Sequence, residues 1–176
     1  MIENTILKEM NELSKTIDTN QYETFVKNFA YYMIWSHTIG IGAGRMGYSL
    51  RSFIMRLNHM GFNASMIGDT NVPRVRKGTV VLINSSSGET PTNVLYAKQA
   101  KEHGGTLFCI TKNKDSTLAQ MSDYILTYGN EFKSNQIMKT AYEQFTMLLF
   151  DHIAKDLVDI YEINKDFMEN NHSILE

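Results

Sequence analysis

The chain is 176 residues long, 43% hydrophobic and 20% charged, which fits one globular domain with a sizeable core, and no second domain is expected. Its 17 basic and 19 acidic side chains give a formal charge of −2, too little for the basic stripe that holds nucleic acid by releasing counterions. The single cysteine, Cys109, excludes an internal disulfide, and no apolar run approaches the roughly 18 residues of a membrane span; a cytoplasmic setting with neither nucleic acid nor membrane as partner is expected.

Residues 2–35 read as helix, with apolar positions at Ile6, Met10, Leu13 and Ile17, then at Phe25, Phe29, Tyr32 and Met33. A break near residues 18–20 divides them, so two leading helices account for residues 1–36. The period then changes. Short apolar runs at 37–41, 64–67, 80–83, 107–110 and 124–127 have strand length and alternate with longer stretches. The first leads through a glycine-rich turn into a helix carrying Leu50, Phe53, Ile54 and Leu57, which Gly61 ends as a left-handed cap. Helices at 91–103 and about 116–121 follow the third and fourth runs, whereas 71–77 reads as loop. Cys109, inside an apolar run, reads as a small core residue. Strands joined by helical crossovers imply an α/β core, residues 37–160, with a mainly parallel sheet covered on both faces.

The last helix of that core, about 135–160, carries Ile137, Ala141, Phe145, Leu148, Leu149 and Ile153 on one face. Tyr142, Thr146, Met147 and Phe150 leave much of the opposite face uncharged. A helix apolar around most of its girth is buried on several sides, which predicts contact with another subunit as well as with its own sheet. Residues 161–176 form a polar tail, expected to be frayed or peripheral.

Two loops carry the chemistry. In an open doubly wound sheet, ligands sit beyond the carboxyl ends of the strands where the strand order reverses. Gly42, Gly44 and Gly47 of Gly42-Ala43-Gly44-Arg45-Met46-Gly47 let the backbone approach a ligand, and Arg45 adds a fixed cation. Ser85-Ser86-Ser87-Gly88-Glu89-Thr90-Pro91 places hydroxyls and amides around a helix amino terminus, with Thr90 at the cap and Pro91 at the first helical position. Ser85, Ser86, Ser87 and Thr90 thus suit a phosphate, which takes hydrogen bonds, and sugar hydroxyls, which both give and take them. Either loop alone has a plain reading as tight packing or a polar turn; their order after two strands favours a shared site. The first loop also matches G-x-G-x-x-G, with Asp69 after the next strand as a ribose ligand, but it follows two helices and the serine loop has no part in dinucleotide binding.

From about residue 39 to 159 the chain resembles the sugar isomerase (SIS) domain family, and within it the 6-phospho-3-hexuloisomerases. Those enzymes typically show Gly-Ala-Gly-Arg-Ser-Gly, Met-Arg-Leu-Met-His-Leu-Gly-Phe and Ser-Gly-Ser-Gly-Glu-Thr. The first and third correspond to the two loops, and the second reads here Met55-Arg56-Leu57-Asn58-His59-Met60-Gly61-Phe62. The resemblance implies a flavodoxin-like, five-stranded parallel sheet flanked by helices, a homo-oligomer such as a dimer or tetramer, and no metal or organic cofactor. It also implies interconversion of a 3-hexulose 6-phosphate and fructose 6-phosphate. Met46 replaces a serine that would face the substrate, Ser86 replaces a glycine, and Ile137-Met138-Lys139 stands where Pro-Leu-Gly is usual. A relative acting on another phosphosugar stays open.

Isomerisation moves a proton between adjacent carbons through an enediol, so it needs a base over those carbons and an anchor for the phosphate. Glu143 is the candidate base, the one ionisable acid or base between Lys139 and Asp151 in a helix that reads as buried. Tyr142-Glu143-Gln144 also matches the Phe-Glu-Gln that carries the hexuloisomerase glutamate. His59 is a second catalytic candidate, to open the sugar ring or shuttle a hydroxyl proton, possible across a subunit boundary. Its plain alternative is an interaction with the carboxyl end of its own helix. The histidine spacings show no metal-site pattern. The alternative from another class is a phosphosugar-binding or sensing SIS module without turnover.

Overall fold

The computed structural model describes residues 3–174. The expected helix start at residue 2, and residues 175 and 176 of the expected tail, lie outside them. The apolar runs pair as β1 (Thr38–Gly42), β2 (Ala64–Met66), β3 (Val80–Asn84), β4 (Thr106–Thr111) and β5 (Tyr124–Thr127). Every pairing is parallel, in the order β2-β1-β3-β4-β5. The helices are α1 (Glu3–Ser14), α2 (Thr19–Met33), α3 (Gly44–His59), α4 (Pro91–Glu102), α5 (Thr117–Met121), α6 (Thr140–Ile160) and α7 (Lys165–Asn170). The break between the leading helices is set by Asp18, whose carboxylate accepts from the Gln21 N–H at 2.7 Å as the cap of α2.

Strand side chains alternate between faces, and the central strands β1, β3 and β4 are buried almost throughout, so their runs are largely apolar. Val80, Leu82, Phe108, Ile110 and Leu126 join one core with residues of α2, α3 and α6. Ile41, Val81, Ile83, Leu107 and Cys109 join the other with Ala97 and Ala100 of α4 and Leu118 of α5. Phe53 of α3 stacks on Phe150 of α6 with centroids 4.8 Å apart. Such a pair contributes about 0.5–1.5 kcal/mol beyond its buried area and fixes α6 relative to α3. No helix among the described residues is long and apolar enough to cross a membrane.

Two segments differ from their sequence reading. The last core helix begins at Thr140, not near residue 135, because a 3-10 turn at Ile137–Lys139 precedes it and Met138 takes a left-handed conformation (φ 51°). Just upstream, Glu9 of α1 accepts from Ser134 Oγ at 2.8 Å, the Asn135 N–H at 2.7 Å and Gln136 Nε2 at 2.9 Å, which holds this stretch out of the helix. The polar tail is peripheral but helical: α7 docks on the carboxyl end of α3, with the Phe167 ring beside Gly61 and Asn171 Nδ2 donating to the His59 carbonyl at 3.1 Å. Gly61 itself is the expected left-handed cap (φ 86°).

Candidate functional site

The order β2-β1-β3 reverses between β1 and β3, so the loops leaving these two strands flank a crevice at their carboxyl ends. A cleft of about 220 Å³ opens there. Ala43 comes from the β1–α3 turn, Met46 from the first turn of α3, and Asn84, Ser85, Ser86, Ser87, Thr90 and Asn93 from the end of β3 and the start of α4. Lys112 comes from the end of β4, and Tyr142 and Glu143 from the first turn of α6. Segments some 100 residues apart in sequence are thus brought together by the crossovers.

The β1–α3 turn is tighter than a flexible loop. A Cβ on Gly47 would lie 2.6 Å from the Gly42 carbonyl oxygen, so α3 starts in contact with the end of its strand. Gly42 ends β1 and Gly44 opens α3; neither is among the residues lining the cleft, and their part is to shape the turn. Arg45 leaves that turn to meet Glu143, its Nε donating to Oε2. The Glu143 side chain is 18% exposed. Ser49 Oγ donates to the Glu143 carbonyl at 2.9 Å and ties this turn of α6 to α3. The proposed base therefore sits on a helix fixed at both side chain and backbone.

The serine loop forms another part of the cleft lining. Thr90 occupies the cap position of α4 without a side-chain capping bond, and its Oγ1 lies 3.4 Å from Ser85 Oγ, so both hydroxyls stay at the cleft. The first amides of a helix have no acceptor within it, which makes this end receptive to anions. Thr111 Oγ1 and the Lys112 N–H both donate to the Ser86 carbonyl at 3.2 Å. The Glu89 carboxylate accepts from the Thr117 N–H at 2.7 Å and Oγ1 at 2.8 Å. The loop is thus braced on β4 and α5.

Asn84, Asn93, Lys112 and Tyr142 also line the cleft and escaped the sequence reading of the site. Asn84 is fully buried, and its Nδ2 donates to the Met46 carbonyl at 2.8 Å, while Oδ1 has no hydrogen-bond partner among the described residues. Its signal was a polar residue closing an apolar run immediately before the serines. Lys112 likewise closes the fourth run. Tyr142 fixes its ring by donating from its hydroxyl to the Phe132 carbonyl at 2.7 Å. Met46, at the family's serine position, directs its sulfur toward Thr146 Oγ1 at 4.0 Å and gives this wall an apolar surface.

His59 is not brought to the cleft of its own chain. It lies at the far end of α3, about 21 Å along the axis from Arg45 at 1.5 Å per residue. It is buried there, with its ring centroid 4.9 Å from that of His172. Asp69 is engaged too, accepting from the Met66 N–H at 2.9 Å and Arg51 Nη1 at 3.0 Å. Burial pushes its carboxyl up, but these two donors outweigh that and leave it below the usual range. An acid held this way is occupied within the protein, which disfavours the dinucleotide reading of the first loop.

The sequence pattern described as SIS domain matches residues 36–150. A 3-hexulose-6-phosphate isomerase of Bacillus subtilis is 31% identical over 180 residues, covering 97% of this chain and 95% of that protein. A Mycobacterium gastri protein of the same name is 32% identical over 144 residues, covering 77% and 79%. A crystal structure of a Methanococcus jannaschii protein, from which a 3-hexulose-6-phosphate isomerase function was inferred, aligns with a TM-score of 0.86 at 22% identity and covers 98% of this chain and 97% of that one.

Proposed function

The chain belongs to the SIS domain family, and on that footing we propose that it is a phosphosugar isomerase close in activity to the 3-hexulose-6-phosphate isomerases it resembles. The observation that carries the proposal is the placement of a carboxylate, Glu143, in one cleft with a serine-lined helix amino terminus. A sugar held by its phosphate at Ser85, Ser86, Ser87 and Thr90 extends its carbon chain toward Glu143. The carboxylate takes the proton from the carbon bearing the hydroxyl next to the carbonyl, an enediol forms, and the proton returns to the neighbouring carbon. The hydroxyl proton moves the same way, from the oxygen on the deprotonated carbon to the former carbonyl oxygen, so the reaction balances without oxidant or cofactor. Arg45 positions the carboxylate, and its charge favours the anionic enediolate as it develops.

Two further parts of the proposal concern assembly. Tyr31, Ile34, Trp35 and Ile160 are exposed apolar side chains around one groove, and Met147 and Leu148 extend the apolar surface of α6. We read this surface as the contact of a homo-oligomer in the cytoplasm. His59 enters the chemistry only if a neighbouring subunit offers it.

Incubating the purified protein with fructose 6-phosphate and following the ketose by carbon NMR tests the reading. Appearance of the 3-ketose supports isomerisation. Tight binding with no new ketose favours a sensing module.

A further inference from the structure

We propose that Lys112 is the cation that neutralises the substrate phosphate, and hence the residue that makes the site prefer phosphorylated over free sugars. The inference rests on the phosphosugar reading of the cleft. The serine loop supplies hydroxyls and amides but no positive charge, whereas a phosphate monoester carries about −1.5 to −2 near pH 7. Arg45 is held by Glu143. Of the residues that line the cleft, Lys112 is the cationic one. A phosphate close to the Glu143 carboxylate in a partly enclosed space meets like-charge repulsion, and an ammonium in the same cleft offsets it.

The position of Lys112 is built in. It follows β4 directly, and the end of β4 lies beside that of β3 in the register Asn84↔Ile110. Its N–H donates to the Ser86 carbonyl, so lysine and serine loop share one frame. Nζ stands 5.1 Å from the centroid of the Tyr142 ring, which is itself fixed through its hydroxyl. An aromatic face attracts an ammonium, but less strongly than a phosphate oxygen that takes a charge-assisted hydrogen bond. The Tyr142 ring thus marks where the ammonium rests in the cleft that the serine loop also lines.

The test uses the full chain with K112M, which keeps an unbranched stem over Tyr142, and K112R, which keeps the charge. The measurements are kcat and KM for fructose 6-phosphate and the Kd for inorganic phosphate. K112M is expected to raise KM and the phosphate Kd by about 10- to 100-fold, the range for a hydrogen bond to a charged group, with kcat changed less than about threefold. K112R is expected to recover most of the affinity, which separates loss of charge from misfolding. A fall in kcat at unchanged KM would overturn the inference by placing Lys112 at the reacting carbons. Unchanged constants in K112M beside an active wild type would also overturn it, and it alone. A wild type that neither binds phosphate nor turns over would overturn the phosphosugar reading with it.

Discussion

Replacing Glu9 by glutamine perturbs a carboxylate far from the cleft that nevertheless holds the approach to α6. Glu9 is 3% exposed and accepts three hydrogen bonds, from Ser134 Oγ, the Asn135 N–H and Gln136 Nε2. Glutamine keeps the shape but offers one oxygen in place of two and turns an NH₂ toward groups that are themselves donors. Hydrogen bonds to a charged group contribute about 1.5–3 kcal/mol each and are not additive, so a loss of about 2–4 kcal/mol is expected at pH 7. At about 2–4 °C per kcal/mol for a chain of this size, Tm should fall by about 4–16 °C. The difference should also depend on pH. Burial pushes the Glu9 carboxyl up, but the donors of Asn135, Gln136 and Ser134 outweigh burial and hold it below its usual value. A carboxyl depressed in the folded state contributes stability that is complete above its unfolded pKa of about 4.3 and is lost as pH falls through the folded value. Urea unfolding of wild type and Glu9→Gln at pH 7 and at about pH 3.5 should show a gap that narrows at the lower pH. Equal stabilities at pH 7, or a gap unchanged at the lower pH, would refute the reasoning.

The phosphate anchor can be probed with Ser87→Ala, which should weaken binding of fructose 6-phosphate by about 1–3 kcal/mol, measured by calorimetry. An unchanged Kd would remove Ser87 from the anchor. Sedimentation velocity should give a dimer or larger at micromolar concentration, because Trp35 alone is 82% exposed beside Tyr31 and Ile160. A stable monomer would contradict the proposed assembly.

The sheet was legible in the sequence because each strand is short, apolar and bounded by turn residues, and because Asp18 and Gly61 mark helix ends by local chemistry alone. The absence of a helix between β2 and β3 was legible for the same reason, since residues 71–77 carry no apolar period. The two loops of the cleft were recognised by composition, and Glu143 by its isolation in an apolar helix. What stayed hidden depends on distant partners. Asn84 acquires its place through the Met46 carbonyl, and Glu9 looks like any surface acid of an amphipathic helix until residues 134–136 return to it. The start of α6 was misplaced because the apolar Ile137 continues the helical period into a turn that Glu9 and Met138 break. His59 has the residue type and family motif of a catalytic group, but its helix carries it to the opposite end from Arg45.

On the proposed mechanism Glu143 exchanges the carbon-bound proton of a phosphosugar in this cleft. The most direct test is proton NMR of fructose 6-phosphate in deuterium oxide with wild type and Glu143→Gln, alongside the affinity of each for the sugar. Wild type should incorporate deuterium beside the carbonyl, and Glu143→Gln should bind with similar affinity while exchanging about 10²- to 10⁴-fold more slowly, the usual contribution of a general base. Equal exchange rates in the two proteins would contradict the account.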